Sequence, residues 1–169
     1  FCNQYDKISV LDTYGENLEK LIKLSPTVIH NNADEIKKHL KVKLDSEKDY
    51  QNILNDFYKS GINLSFITNG KNSFYTSKAD FNYKVENPIV EEINPTGSGD
   101  AFLAGIIYGL EKSLIFNDFV KLGSALGALN ASTLEVCKVK LEDAQNLTSK
   151  VTIQEIGKKI KIIDDSPTI

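Results

Sequence analysis

The stretch "NPTGSGDAFLAG" at positions 94–105 places Gly97, Ser98, Gly99 and Asp100 at the start of a run that reads as a helix. Backbone amides in the first turn of a helix have no partner within it and sit at its positive dipole end. They can therefore gather around a phosphate or a developing oxyanion. Glycine lets such an anion approach closely. Asp100, in the same turn, is a carboxylate beside that anion site, able to accept the proton of a hydroxyl attacking phosphorus. Together these parts suit phosphoryl transfer. They also suit a plainer use, in which the glycines make a turn and Asp100 caps a helix, and the spacing alone leaves both readings open.

Two other phosphate motifs fail on inspection. A Walker A loop needs a glycine, four residues and then Gly-Lys-Ser/Thr, but around "NGKN" at 69–72 the first position is Ser65 and the last is Asn72. A dinucleotide fingerprint would need a small residue where Phe102 stands, and it belongs to the first strand of a βαβ unit rather than a late one.

The elements that must hold these residues follow from periodicity. "KISVLD" (7–12) predicts a strand, "GENLEKLIKL" (15–24) a helix, "TVIH" (27–30) a second strand, and "NADEIKKHL" (32–40) a helix with Asn32 and Glu35 at capping-box spacing. A helix over 46–61 ending at Gly61 precedes the strand "NLSFIT" (63–68). This alternation implies a parallel sheet covered on both faces. Residues 69–93 shift to short strands with polar breaks, expected as antiparallel material at one sheet edge. Helices over 99–112 and 117–132, a short helix at "LEDAQNLTS" and a last strand at "VTIQEI" complete a single α/β domain over 1–169.

Composition excludes several partners. The chain has 169 residues, 41% of them hydrophobic and 25% charged, the balance of a globular domain. Its net charge of −3 offers no basic excess for nucleic acid or anionic lipid, and no apolar run reaches membrane-span length. Cys2 and Cys137 make no disulfide framework, so a reducing cytoplasm is the expected compartment. His30 and His39 lack a carboxylate or cysteine cluster at metal spacing and read as structural or solvated, and Cys137 reads as inert.

"NPTGSGDAFLAGIIYGL" resembles the C-terminal signature of the ribokinase-like (PfkB-type) carbohydrate kinases. "VLDTYGENL" (10–18) resembles the family's Asp-Thr-Ser-Gly strand and turn, "VIHNNADEI" (28–36) its Lys-Pro-Asn-x-x-Glu segment, and "SFITNGKNSFY" (65–75) its Ser/Thr-x-Gly nucleotide loop. The order is the family's own, and the nearest subfamilies are 1-phosphofructokinase and tagatose-6-phosphate kinase.

The resemblance implies a three-layer α/β sandwich on a mainly parallel sheet, using ATP and Mg2+. The acceptor would be a sugar phosphate, fructose 1-phosphate or tagatose 6-phosphate. Asp100 would be the general base, with the Gly97, Ser98 and Gly99 amides as anion hole. Asn32 and Glu35 would hold magnesium through water, as hard oxygen ligands can. Thr68, Gly70 and Lys71 would lie along the nucleotide phosphates, and Asn130 would line the adenine pocket. For Asn32 and Glu35 a plain capping box is the alternative, and for the small residues Gly123, Ala125, Gly127 and Ala128 close helix packing. Two positions depart from the family pattern: His30-Asn31 stands where Lys-Pro is usual, and Ser73 where a glycine closes the loop.

Family members are about twice this length, so the chain is expected to be the C-terminal, nucleotide-side part of a kinase, inactive by itself and homodimeric in the full-length protein. The N-terminal half and the lid are expected to lie outside it. The competing expectation is a non-catalytic module that binds a nucleotide or anion.

Overall fold

The computed structural model describes residues 2–158. One six-stranded sheet runs in the order β1 (Val10–Asp12), β2 (Val28–Asn32), β3 (Leu64–Thr68), β4 (Phe74–Lys78), β5 (Phe81–Glu86), β6 (Thr152–Lys158). β1, β2 and β3 pair in parallel, and β3 through β6 pair antiparallel, so the sheet is mixed. The expected hairpin of residues 69–93 is β4–β5, but it does not form the sheet edge. β6 pairs along β5 from Glu86↔Thr152 to Phe81↔Lys158, with an irregularity at Asn82/Tyr83, and takes up the ladder groups that β5 would otherwise leave open.

β2 and β3 are central and covered on both sides, which explains their nearly continuous burial. Alternate residues feed two cores. Ile29, Ile67 and Tyr75 pack under α1 (Leu18–Ile22), α2 (Ala33–Leu40) and α3 (Glu47–Lys59). Val28, Phe66 and Phe74 pack under α4 (Ser98–Glu111) and α5 (Phe116–Ala131). α6 (Leu141–Leu147) leans on the outer side of α4 and α5 through Ala144, Leu122 and Ala125.

The small residues of α5 are explained by packing. A Cβ on Gly105 of α4 would lie 2.8 Å from the Gly123 Cα of α5, so the two backbones cross in near contact. That crossing fixes the N-terminus of α4 against the sheet.

Candidate functional site

A cavity of about 1280 Å³ opens over the carboxyl ends of β1, β2 and β3, where parallel strands of α/β sheets leave a crevice. Its walls include Asp12 from β1, Asn32 and Glu35 at the start of α2, Thr68 at the end of β3 with Gly70 and Lys71 after it, and Gly97 to Asp100 at the start of α4. Segments far apart in sequence meet here because β1, β2 and β3 end at one side of the sheet. Two helices begin at that same side.

Gly97 is the N-cap of α4, with φ 77° and no side-chain cap bond. A Cβ there would lie 2.4 Å from Val136 Cγ1, so close approach and left-handed backbone both require glycine. The Ser98 amide is spent on Pro95 O at 3.1 Å and the Ala101 amide on Gly97 O, whereas the Gly97, Gly99 and Asp100 amides have no backbone partner among the described residues. The amides left free for an anion are therefore those of Gly97, Gly99 and Asp100, while the Ser98 hydroxyl oxygen accepts from Asn130 Nδ2 at 3.0 Å. Asp100 is exposed and lines the cavity, and its side chain makes no hydrogen bond or ion pair among the described residues. It does not cap the helix by hydrogen bonding, since the cap position carries none.

Asn32 and Glu35 form a complete capping box. Glu35 N donates to Asn32 Oδ1 at 2.9 Å, and Asn32 N donates to Glu35 Oε2 at 3.0 Å. Both residues also line the cavity, and Glu35 Oε1 has no partner among the described residues. Cap and ligand roles are thus compatible. No group of three or more His, Cys, Asp or Glu among the described residues could hold a metal by itself. This donor set fits magnesium carried on nucleotide phosphates and touched through water, since Mg2+ keeps several waters and takes few protein ligands.

Asn130 is the sequence-predicted residue that the cavity does not include. It has no exposed surface, its Nδ2 donates to Thr96 O at 2.8 Å and Ser98 Oγ at 3.0 Å, and its Oδ1 accepts from Cys137 N at 2.6 Å. Gly127, Ala128 and Ala131 of the same helix do reach the wall, so α5 borders the cavity while Asn130 braces the glycine turn from behind.

The model of the pfkB family of carbohydrate kinases matches residues 2–143. The chain belongs to that family. Solved structures with the same fold include a Staphylococcus aureus protein assigned as a phosphofructokinase, with TM-score 0.83 at 21% identity over 94% of this chain and 51% of that one. They also include a point mutant of Escherichia coli phosphofructokinase-2, with TM-score 0.77 at 18% identity over 86% and 48%. A possible 1-phosphofructokinase of Thermotoga maritima matches with TM-score 0.79 at 17% identity over 92% and 50%. The chain spans about half the length of these structures.

The departures from the pfkB pattern now have structural accounts. Ser73, in place of a loop-closing glycine, donates its hydroxyl to Glu86 Oε2 at 2.6 Å. That bond, and then Lys84, hold the Glu86 carboxyl below its ordinary value. Asn87 ties the same loop from the other side, donating to Asn72 O at 2.6 Å and accepting from Ser124 Oγ at 2.8 Å. His30 is buried at the cavity floor, bonded to Asp12 and Thr68. Sequence reasoning gave no role to Asp12 or Asn87 and read His30 as structural or solvated. For His30, the only signal was its place at a strand end next to the family's motif.

No helix among the described residues is long and apolar enough to cross a membrane. Both cysteines are free.

Proposed function

We propose that this chain is the nucleotide-side part of a kinase that transfers the γ-phosphoryl group of ATP to a phosphorylated hexose. One observation carries the reading: the exposed carboxylate of Asp100 stands beside unpartnered amides of α4, in a cavity whose other walls are the remaining family segments. The Gly97, Gly99 and Asp100 amides would hold the transferred phosphoryl group as charge develops on its oxygens. Asp100 would accept the proton of the attacking sugar hydroxyl. Thr68, Gly70 and Lys71 would lie along the nucleotide phosphates. Lys71 is exposed, lines the cavity, and has no ion-pair partner among the described residues. The adenine would lie between the 68–73 loop and α5, against Gly127, Ala128 and Ala131 rather than against Asn130. Asn32 and Glu35 would meet the hydrated magnesium. When bound, the ion would neutralise phosphate charge and orient the transferred group.

The acceptor is proposed as a sugar phosphate, fructose 1-phosphate or tagatose 6-phosphate being the candidates from the sequence. E. coli phosphofructokinase-2, a fold neighbour, has been solved with fructose-6-phosphate, which adds that ketose phosphate to the compounds worth testing. The cytoplasm is the proposed compartment and a homodimer the proposed assembly.

The test is a coupled ADP-release assay on the whole protein, with magnesium ATP and each of the three ketose phosphates. Release of ADP that depends on one of them supports the reading. Tight ATP binding without release on any phosphorylated sugar would leave a nucleotide-binding module in its place.

A further inference from the structure

His30 is only 4% exposed, yet both of its ring nitrogens have side-chain partners that line the cavity. Nδ1 meets Asp12 Oδ2 at 3.2 Å and Nε2 meets Thr68 Oγ1 at 3.1 Å. The sheet register makes this possible. Asp12 is the direct partner of His30 across β1–β2, and Phe66 is its direct partner across β2–β3. Thr68 lies two residues beyond Phe66, on the same face of the sheet, so the imidazole reaches it diagonally. A carboxylate oxygen only accepts, so Nδ1 carries the hydrogen and the ring cannot flip without losing that bond. From the other side the Phe102 ring lies 5.3 Å away, tilted at 34°, and the position of a Cβ on Gly99 would be 3.5 Å from His30 Cε1.

A buried histidine with both nitrogens satisfied commonly serves packing alone. Here its partners are the last residue of β1 and the last of β3, and Thr68 opens the 68–73 loop. With Nδ1–H given to Asp12, Nε2 of a neutral ring accepts the Thr68 hydroxyl hydrogen, so Thr68, on the cavity wall, keeps only the lone pairs of its oxygen for an outside donor. We propose that His30 is a positioning residue, anchored by Asp12, that sets the Thr68 oxygen to accept from a donor on the bound nucleotide, such as a ribose hydroxyl. The identity of that ligand rests on the kinase reading above. His30 itself touches no substrate. It acts through Thr68.

The test is a double-mutant cycle in magnesium ATP binding, measured by titration calorimetry on the whole protein, with His30→Phe, Thr68→Val and the pair. Phenylalanine keeps a ring against Phe102 but loses both bonds, and valine keeps the shape of threonine without its hydroxyl. Each single change should weaken binding by roughly three- to ten-fold, the worth of one neutral hydrogen bond. The double variant should bind no worse than Thr68→Val alone. In steady-state kinetics, His30→Phe should raise the KM for ATP more than it lowers kcat. Multiplying losses in the double variant would overturn the proposal and leave a packing histidine, as would a loss confined to kcat. Asp12→Ala should weaken ATP binding toward the level of His30→Phe, and Asp12→Asn, which retains a side-chain acceptor for Nδ1–H, should weaken it less.

A second readout covers the case where His30→Phe does not fold, or where the wild-type protein binds no adenine nucleotide and the kinase reading fails. The ring 15N–1H spectrum of the wild-type protein should show a slowly exchanging Nδ1–H, and Thr68→Val should shift the Nε2 resonance. An unshifted Nε2 resonance would overturn the Thr68 bond directly.

Discussion

Asn130 Nδ2 reaches Ser98 Oγ at 3.0 Å from a position with no solvent exposure, and its Oδ1 takes the Cys137 amide at 2.6 Å. One side chain thus joins the glycine turn, the end of α5 and the segment after it. Asn130→Ala removes the bonds to Thr96 O, Ser98 Oγ and Cys137 N and should destabilise the fold by about 1–3 kcal/mol. Asn130→Asp would set a buried carboxylate oxygen against Thr96 O, two acceptors face to face, and should cost at least as much as the alanine. Chemical denaturation of the three proteins checks this ordering. If Asn130 contacted adenine instead, ATP affinity would fall with little change in stability.

Gly97 and Gly99 should respond differently to the same substitution. Gly97→Ala puts a Cβ 2.4 Å from Val136 Cγ1 at φ 77°, and the left-handed backbone alone costs about 1–2 kcal/mol. Adding Val136→Ala should recover the steric part of the loss and not the backbone part. Gly99→Ala meets only His30 Cε1 at 3.5 Å, an ordinary contact, so stability should hold. Its methyl group would instead narrow the approach to the amides and weaken phosphate binding. Melting curves alongside ATP titrations separate the two. Equal stability losses for both glycines would contradict this account.

These contrasts mark what the sequence could and could not reveal. The capping box at Asn32 and Glu35 was legible because both partners lie within one helical turn and the spacing itself is the signal. The parallel order of β1, β2 and β3 was legible because helical and strand periods alternate along the chain. The place of β6 outside β5 was not, since a strand some 65 residues later in the sequence carries no mark of its neighbour. His30 was read as structural or solvated because its partners lie 18 and 38 residues away and come together only when the strands align. Asn130 shows the converse. The family pattern put it near the nucleotide, while the fold directs its side chain into a turn.

Acid should loosen the 68–73 loop through Glu86. Its carboxyl is held below the ordinary value of 4.5, first by the Ser73 hydroxyl and then by Lys84. For a lowered carboxyl, the stabilisation is complete above the ordinary value and is lost as pH falls through the lower, folded-state value. The stability gap between wild type and Glu86→Gln should therefore be largest above about pH 5 and shrink on acidification below the ordinary carboxylate range. The side chain is 53% exposed, so the gap is small and calls for denaturant titrations at closely spaced pH values in low salt. A gap that widened as pH fell would reverse the sign and exclude the Ser73–Glu86 bond as its source.

Asp100 is the residue on which the kinase reading turns. It is exposed, lines the cavity, and leaves its carboxylate unbonded among the described residues, beside amides that are themselves free to take an anion. A base that acts only as the hydroxyl attacks contributes about a hundred- to ten-thousand-fold to rate, so Asp100→Asn in the whole protein should lower turnover by that order. Nucleotide binding should barely change, because the amides remain and asparagine has nearly the same shape. A purely structural aspartate at a helix start would behave otherwise, since asparagine serves helix N-termini about as well and the change would then leave both rate and stability intact. Single-turnover assays with saturating magnesium ATP and sugar phosphate, on a variant shown by its melting curve to be folded, decide between the two. Near-normal turnover would remove Asp100 as the proton acceptor and leave the free amides of α4 as an anion site without a base.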